Sequence, residues 1–228
     1  MSDSTNALGQ AKYQVRFDWG RDGAARLLPG AHVVVLVDAL LVTTQAVLAA
    51  EHGGSLPIAD GAAPDVAATE TAELARELGA HDVVVLAASL RNREAVARRI
   101  LALQEARGER LFVAVVAAGE RAGERAAEPG ERSDGAPAAG IRFAIEDQLT
   151  AGAVIDALVR LGIDHTSPEA AVACAAFEGL RHAAVHLIGA AGTGAGLTAD
   201  GRRDEVRQAT QRDVTDVVPV LRDGVFGP

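Results

Sequence analysis

The chain carries a single cysteine, Cys174, and very few aromatic side chains, 3% of its 228 residues. One thiol excludes a disulfide framework and makes a reducing cytoplasm the natural compartment. Cys174 lies in an Ala-rich helical pattern, where a buried small hydrophobe is a simpler reading than a catalytic thiol. With so few aromatics in a chain that is 49% hydrophobic, the core must be built from Ala, Val and Leu, which suits helices packed closely on a Val-rich sheet. Basic residues are also the minority, 22 Lys plus Arg against 31 Asp plus Glu, for a net charge of −9. No basic stripe stands out, so neither a nucleic acid nor an anionic membrane is an expected partner. No apolar run reaches membrane-spanning length. The first residues, Met1 to Ala11, lack the basic-then-apolar order of a secretory signal. A cytoplasmic protein is the expectation.

Met1 to Lys12 reads as a disordered leader, and residues 13–226 as a single α/β domain. Tyr13 to Trp19 alternates as a strand. Three β-branched runs, His32–Val37, Asp82–Ala88 and Leu111–Val116, have the form of central strands covered on both faces. Between them the pattern predicts helices over Leu41–Glu51, Pro64–Leu78 and Arg93–Ala106, with a short strand within Ser55–Asp60. The stretch from about 121 to 140 has no periodicity and reads as a flexible insert. A helix begins near Glu146, buries Ile145, Leu149, Ile155, Leu158 and Val159, and ends at Gly162. Ser167 as N-cap with Pro168 behind it starts another helix, running to about Leu180. Asp213–Leu221 reads as an edge strand, because Pro219 cannot donate to a ladder.

Chemistry-bearing residues gather around these elements. Asp38 follows a buried strand and precedes a helix, where open α/β sheets bind ligands; an N-cap aspartate is the equally open alternative. Glu146 and Asp147 are adjacent in a first helical turn, where the dipole keeps carboxylates ionised and grouped oxygens can hold a hard cation. First turns also favour acidic residues for no further reason. His165 reads as a loop histidine, and His182 with His186, four apart, lack a third ligand for zinc. Gly189, Gly192, Gly194 and Gly196 follow an apolar run, but the polar stretch after them argues against a dinucleotide loop. An anion-binding loop or a flexible turn fits better.

Taken in order, several segments resemble the 2-phosphosulfolactate phosphatases. They are Val35-Leu36-Val37-Asp38-Ala39-Leu40 with Thr43-Thr44, Ser89-Leu90-Arg91-Asn92, Ala118-Gly119-Glu120-Arg121, Arg142-Phe143-Ala144-Ile145-Glu146-Asp147-Gln148-Leu149 with Ala151-Gly152-Ala153, and Asp213 with Val218-Pro219-Val220-Leu221. Tyr13 to Gly20 is similar to the opening of bacterial members. The resemblance implies a three-layer α/β/α fold on a largely buried mixed sheet. It also implies a Mg2+-dependent phosphatase acting on a small anionic phosphoester, a phosphorylated three-carbon sulfonated acid. Asp38, Glu146 and Asp147 would then be metal ligands or bases, and Glu120 would position an arginine or the attacking water. Arg91, Arg121 and Arg142 would meet phosphate or sulfonate, with Thr43, Thr44 and Asn92 adding neutral hydrogen bonds. Leu41 stands where the family has an arginine, and the segment between Asp60 and Asp82 is short. A family member that binds a small anion or assembles without catalysis is the alternative. The Ala-rich helices suit packing within one chain or across a homodimer equally.

Overall fold

A computed structural model describes residues 7–59, 61–63, 66, 69–121 and 140–228. The three Val-rich runs become strands β2 (Val33–Val37), β4 (Val84–Ala88) and β5 (Val113–Ala117), and β1 spans Val15–Trp19. These four run parallel in the order β1-β5-β2-β4, with Val33 of β2 opposite Val84 on one side and Val113 on the other. β2 and β5 are buried at every residue, which is why alternation is missing from their sequences. The sheet continues antiparallel through β8 (Val220–Arg222), β9 (Val225–Gly227) and β3 (Leu56–Pro57). A separate hairpin pairs β6 (Glu120–Arg121) with β7 (Ile141–Arg142).

Helices α1 (Gly20–Leu27), α2 (Val42–Glu51) and α3 (Glu70–Leu78) cover one face, where Leu27, Val42 and Leu74 meet Val34, Leu36 and Val116. Helices α4 (Arg93–Arg107) and α5 (Ile145–Arg160) cover the other, where Ile100, Val154 and Leu158 meet Val33, Val35 and Val115. The result is a three-layer α/β/α arrangement on a mixed sheet, as the resemblance implies. Each buried Val or Leu side chain contributes about 1.5–3 kcal/mol of transfer free energy.

Helix α5 is enclosed on nearly all sides. Twelve of its sixteen residues are buried, well beyond the single stripe its periodicity suggests. The sheet takes Val154 and Ile155, while α6 (Pro168–Leu180) closes on Gly152, where a Cβ would stand 2.1 Å from the Ala173 carbonyl oxygen. A third apolar cluster joins Leu149 and Ala153 to helices α7 (Ala184–Ala190), α8 (Gly192–Ala199) and α9 (Arg203–Ala209), through Ile188, Leu197 and Val206. Those three short helices lie over the carboxyl end of the sheet.

Several expectations are corrected. The chain is anchored before Lys12: Gln10 is buried and pairs with the backbone N–H and C=O of Phe17, covering the free edge of β1. Arg16, also buried, donates to the carbonyls of Ala11, Tyr13, Leu27 and Pro29. Residues 1–6 of the expected leader and 122–139 of the expected insert lie outside the described residues. Helix α3 is capped by Thr69, whose hydroxyl accepts from the Ala72 N–H; Pro64, where the helix was expected to open, lies outside the described residues. The last strand is interior, between β4 and β9, and Pro219 stands just before it with its carbonyl accepting from the Ala87 N–H. The glycines from 189 to 196 form neither a loop nor a turn: Gly189 lies in α7 and Gly192, Gly194 and Gly196 in α8, and Gly194 lets α8 close on α7. A Cβ there would lie 2.3 Å from the Ile188 carbonyl oxygen. His182 precedes α7 and therefore does not share a helix face with His186. The start of α6, with Ser167 as cap and Pro168 at its first position, matches expectation.

Candidate active site

Strands β2 and β5 are neighbours, yet α2 and α5 leave them toward opposite faces, so a crevice opens beyond their carboxyl ends. Asp38, Glu120, Glu146 and Asp147 all come to this crevice.

Asp38 ends β2 and is buried. Its carboxylate accepts from the Leu41 N–H at 3.2 Å, the Val42 N–H at 3.1 Å and the Thr71 hydroxyl at 2.6 Å. It therefore caps α2, a job Thr43 and Thr44 do not perform, and ties that helix to α3. Asp147 sits in the first turn of α5 and accepts from the Ala39 N–H at 2.8 Å on one oxygen and the Gly119 N–H at 2.9 Å on the other. One side chain thus staples the chain leaving β2 to the chain leaving β5. Glu146 beside it is buried and hydrogen-bonded to Thr193 at the start of α8. Glu120 lies nearer solvent and pairs with Arg142 and with the Thr193 hydroxyl.

These groups repel one another. Burial pushes the Asp147 carboxyl well up, and the charges of Asp38 and Glu146 push it further, against the two amide hydrogen bonds. Burial also raises Asp38, opposed by Thr71, Val42 and Leu41 and reinforced by Glu120. Glu146 is raised by burial first and then by Glu120 and Asp38, against hydrogen bonds from its own amide and Thr193. Two N–H donors on Asp147 call for an ionised acceptor, while its surroundings oppose the charge. Among the described residues no arginine or lysine pairs with Asp38, Glu146 or Asp147. A divalent cation would resolve that conflict, and carboxylate oxygens are the donors a hard cation takes. The expected trio is nevertheless no ready coordination shell: among the described residues no three acidic, histidine or cysteine side chains converge as metal ligands. Mg2+ suits such a site, because it keeps several waters and binds through one or two carboxylates plus substrate phosphate.

Most of the residues expected to contact substrate have partners within the protein. Arg91 is buried and forms a two-pronged pair with Glu51 at 2.7 and 2.9 Å, with a further bond to the Gln208 carbonyl, so its guanidinium is spent between α2 and α9. Asn92 completes a capping box with Ser89 and donates to the Val217 carbonyl. Thr43 holds the backbone of Asp38 and Ala88, and Thr44 bonds the Ala39 carbonyl. These three shape the crevice from behind. Arg121 lies in β6, and its side chain is outside the described residues. Arg142, exposed at the rim and paired with Glu120, remains as the cation at the mouth. Cys174 is half-buried, with burial pushing its thiol up to about 11, and stands apart from the acidic groups as a packing residue. Thr71 and Thr193 escaped the sequence reading. The glycine spacing around Thr193 was the available signal, masked by the polar residues that follow.

Fold and crevice together define an open α/β/α protein with a cluster of acidic side chains at the carboxyl edge of its parallel strands. Its lineage is equally definite: the sequence model of the 2-phosphosulpholactate phosphatase family matches residues 66–224, and the chain belongs to that family. The match takes in Arg91, Glu120, Arg142, Glu146 and Asp147, whereas Asp38, Thr43 and Thr44 lie before it. The family name denotes phosphatases, which hydrolyse phosphoric monoesters. No curated protein matches the chain. Among the described residues no single helix is long and apolar enough to cross a membrane; α6 and α7 reach that length only together, across a bend of 104°.

Proposed function

We propose that the chain is a Mg2+-dependent phosphatase that converts 2-phosphosulfolactate, or a related small phosphorylated acid, to the alcohol and phosphate. The observation that carries this reading is the crevice: four carboxylates from three separate elements, the inner three buried without a basic partner among the described residues, in a chain of this family. One or two of Asp38, Glu146 and Asp147 would hold the cation, with water and substrate oxygens completing its shell, and when bound it would neutralise charge on the phosphoryl oxygens. Asp147 also keeps the ends of β2 and β5 together, which fixes the width of the crevice. Glu120, the most accessible of the four, orients the attacking water and takes up its proton. Arg142 is placed to leave Glu120 for an incoming anion, matching phosphate or sulfonate with its planar fork.

The commitment of Arg91 to Glu51 favours one other reading, an anion-binding relative without turnover, since an expected phosphate contact is then missing. Phosphate release from a panel of small phosphoesters, with Mg2+ and with chelator, separates the two. Release that needs the cation and falls by roughly 10²–10⁴ in Glu120→Gln is the expected result. Cation-independent silence across the panel would leave only the binding reading.

A further inference from the structure

We propose that Thr193 is a positioning residue of this site: its hydroxyl holds Glu120 of the β6–β7 hairpin and Glu146 of α5 in fixed relation across the crevice. Thr193 is buried, donates to the Glu120 carboxylate and is hydrogen-bonded to Glu146. Among the described residues it is the one neutral side chain bonded to two of the four carboxylates. Those two come from segments that the 122–139 stretch separates in sequence, so their relation is not set by local geometry.

The residues on either side of it exist to put the hydroxyl there. A Cβ on Gly192 would lie 3.1 Å from a guanidinium nitrogen of Arg142 and 3.6 Å from a carboxylate oxygen of Glu120, so that pair lies close over the start of α8. A Cβ on Gly194 would strike the Ile188 and Gly189 carbonyls at 2.3 and 3.0 Å, so only glycine lets α8 seat against α7 at this depth. A hydroxyl has one proton to donate, so Thr193 holds the two carboxylates by sharing that single hydrogen between them. Groups that orient metal ligands in this way usually alter affinity or turnover by 10–100-fold when lost.

This inference rests on the phosphatase reading for its catalytic half, and the test separates the two. Thr193→Val keeps the shape and removes the hydroxyl; Thr193→Ser keeps the hydroxyl. Three measurements are made on each: Mg2+ binding by calorimetry, kcat and KM on the best phosphoester of the panel, and amide exchange in the β6–β7 hairpin. The valine variant is expected to lose about 10–100-fold in kcat and in Mg2+ affinity, with KM less affected and hairpin exchange faster. The serine variant is expected to stay within a few-fold of the parent in all three. Equal behaviour of valine, serine and parent would overturn the inference while leaving the phosphatase reading intact. A parent chain that neither binds Mg2+ nor releases phosphate sinks that reading instead, and identical hairpin exchange in the two variants would then overturn the positioning role as well.

Discussion

Two amide hydrogens on one carboxylate make Asp147 the most constrained acidic residue in the chain. An aspartate can accept on both oxygens, whereas an asparagine must turn its NH2 toward one of the two donors, leaving either the Ala39 or the Gly119 N–H facing another donor. A buried donor without an acceptor costs about 1–3 kcal/mol. Asp147→Asn should therefore lose about that much stability in urea unfolding at pH 8 with Mg2+ present. Unchanged stability would mean that the staple does not hold β2 to β5. The acidic character of this position is readable from the helical pattern, but its role is not. Its partner Ala39 is 108 residues away, and nothing in a local window encodes that meeting. The same holds for Arg91, whose Glu51 contact spans 40 residues: a motif identifies a functional type of residue, and the tertiary partner decides its use.

At the level of elements, α5 and α6 approach each other closely at a glycine. An alanine at position 152 gains up to about 1 kcal/mol of helix propensity, but its methyl must displace the Ala173 backbone, which sits 2.1 Å from it. Overpacking of that kind costs about 1–3 kcal/mol or more, so Gly152→Ala should lower the melting temperature by several degrees. Gly179, near the end of α6, has nothing within 4 Å of an added Cβ, and Gly179→Ala should stabilise by about 0.5–1 kcal/mol. Opposite signs from two chemically identical changes would confirm that packing governs; equal signs would refute it. Strands β1, β2, β4 and β5 and helices α4, α5 and α6 were legible because their apolar runs and caps are local signals. The glycines of α7 and α8 were not: propensity argues against helix there, and burial of Ile188 and Leu197 against α5 overrides it. The interior place of β8 was hidden for a related reason, since Pro219 stops one residue short of the ladder it was expected to disrupt.

Over the whole molecule, the buried acids should reverse the usual pH response at this site. Carboxylates held by cations in a fold normally stabilise it at neutral pH and release that stability in acid. Here Asp38, Glu146 and Asp147 are raised from ordinary values of 3.8, 4.5 and 3.8 by burial and by one another. A group whose pKa is higher in the fold than in the open chain binds its proton more tightly in the fold. Its stabilising contribution is complete below the ordinary value and disappears as pH rises through the folded one. In chelator, then, the contribution of these three groups should decline as pH climbs past about 4–5, a window given by those ordinary values. Glu146→Gln removes one of the charges that must form in that window. Its stability relative to the parent is expected to improve steadily with pH in chelator, and the improvement should shrink or reverse once Mg2+ is added, because a bound cation compensates the parent's charge. Thermal melts of both proteins across pH 4–9, with chelator and with Mg2+, read this directly. Parallel curves in chelator would show that Glu146 stays solvated and uncoupled. A variant advantage that Mg2+ leaves untouched would show that the crevice does not take the cation, and the folding data would then count against the metal without any assay of turnover.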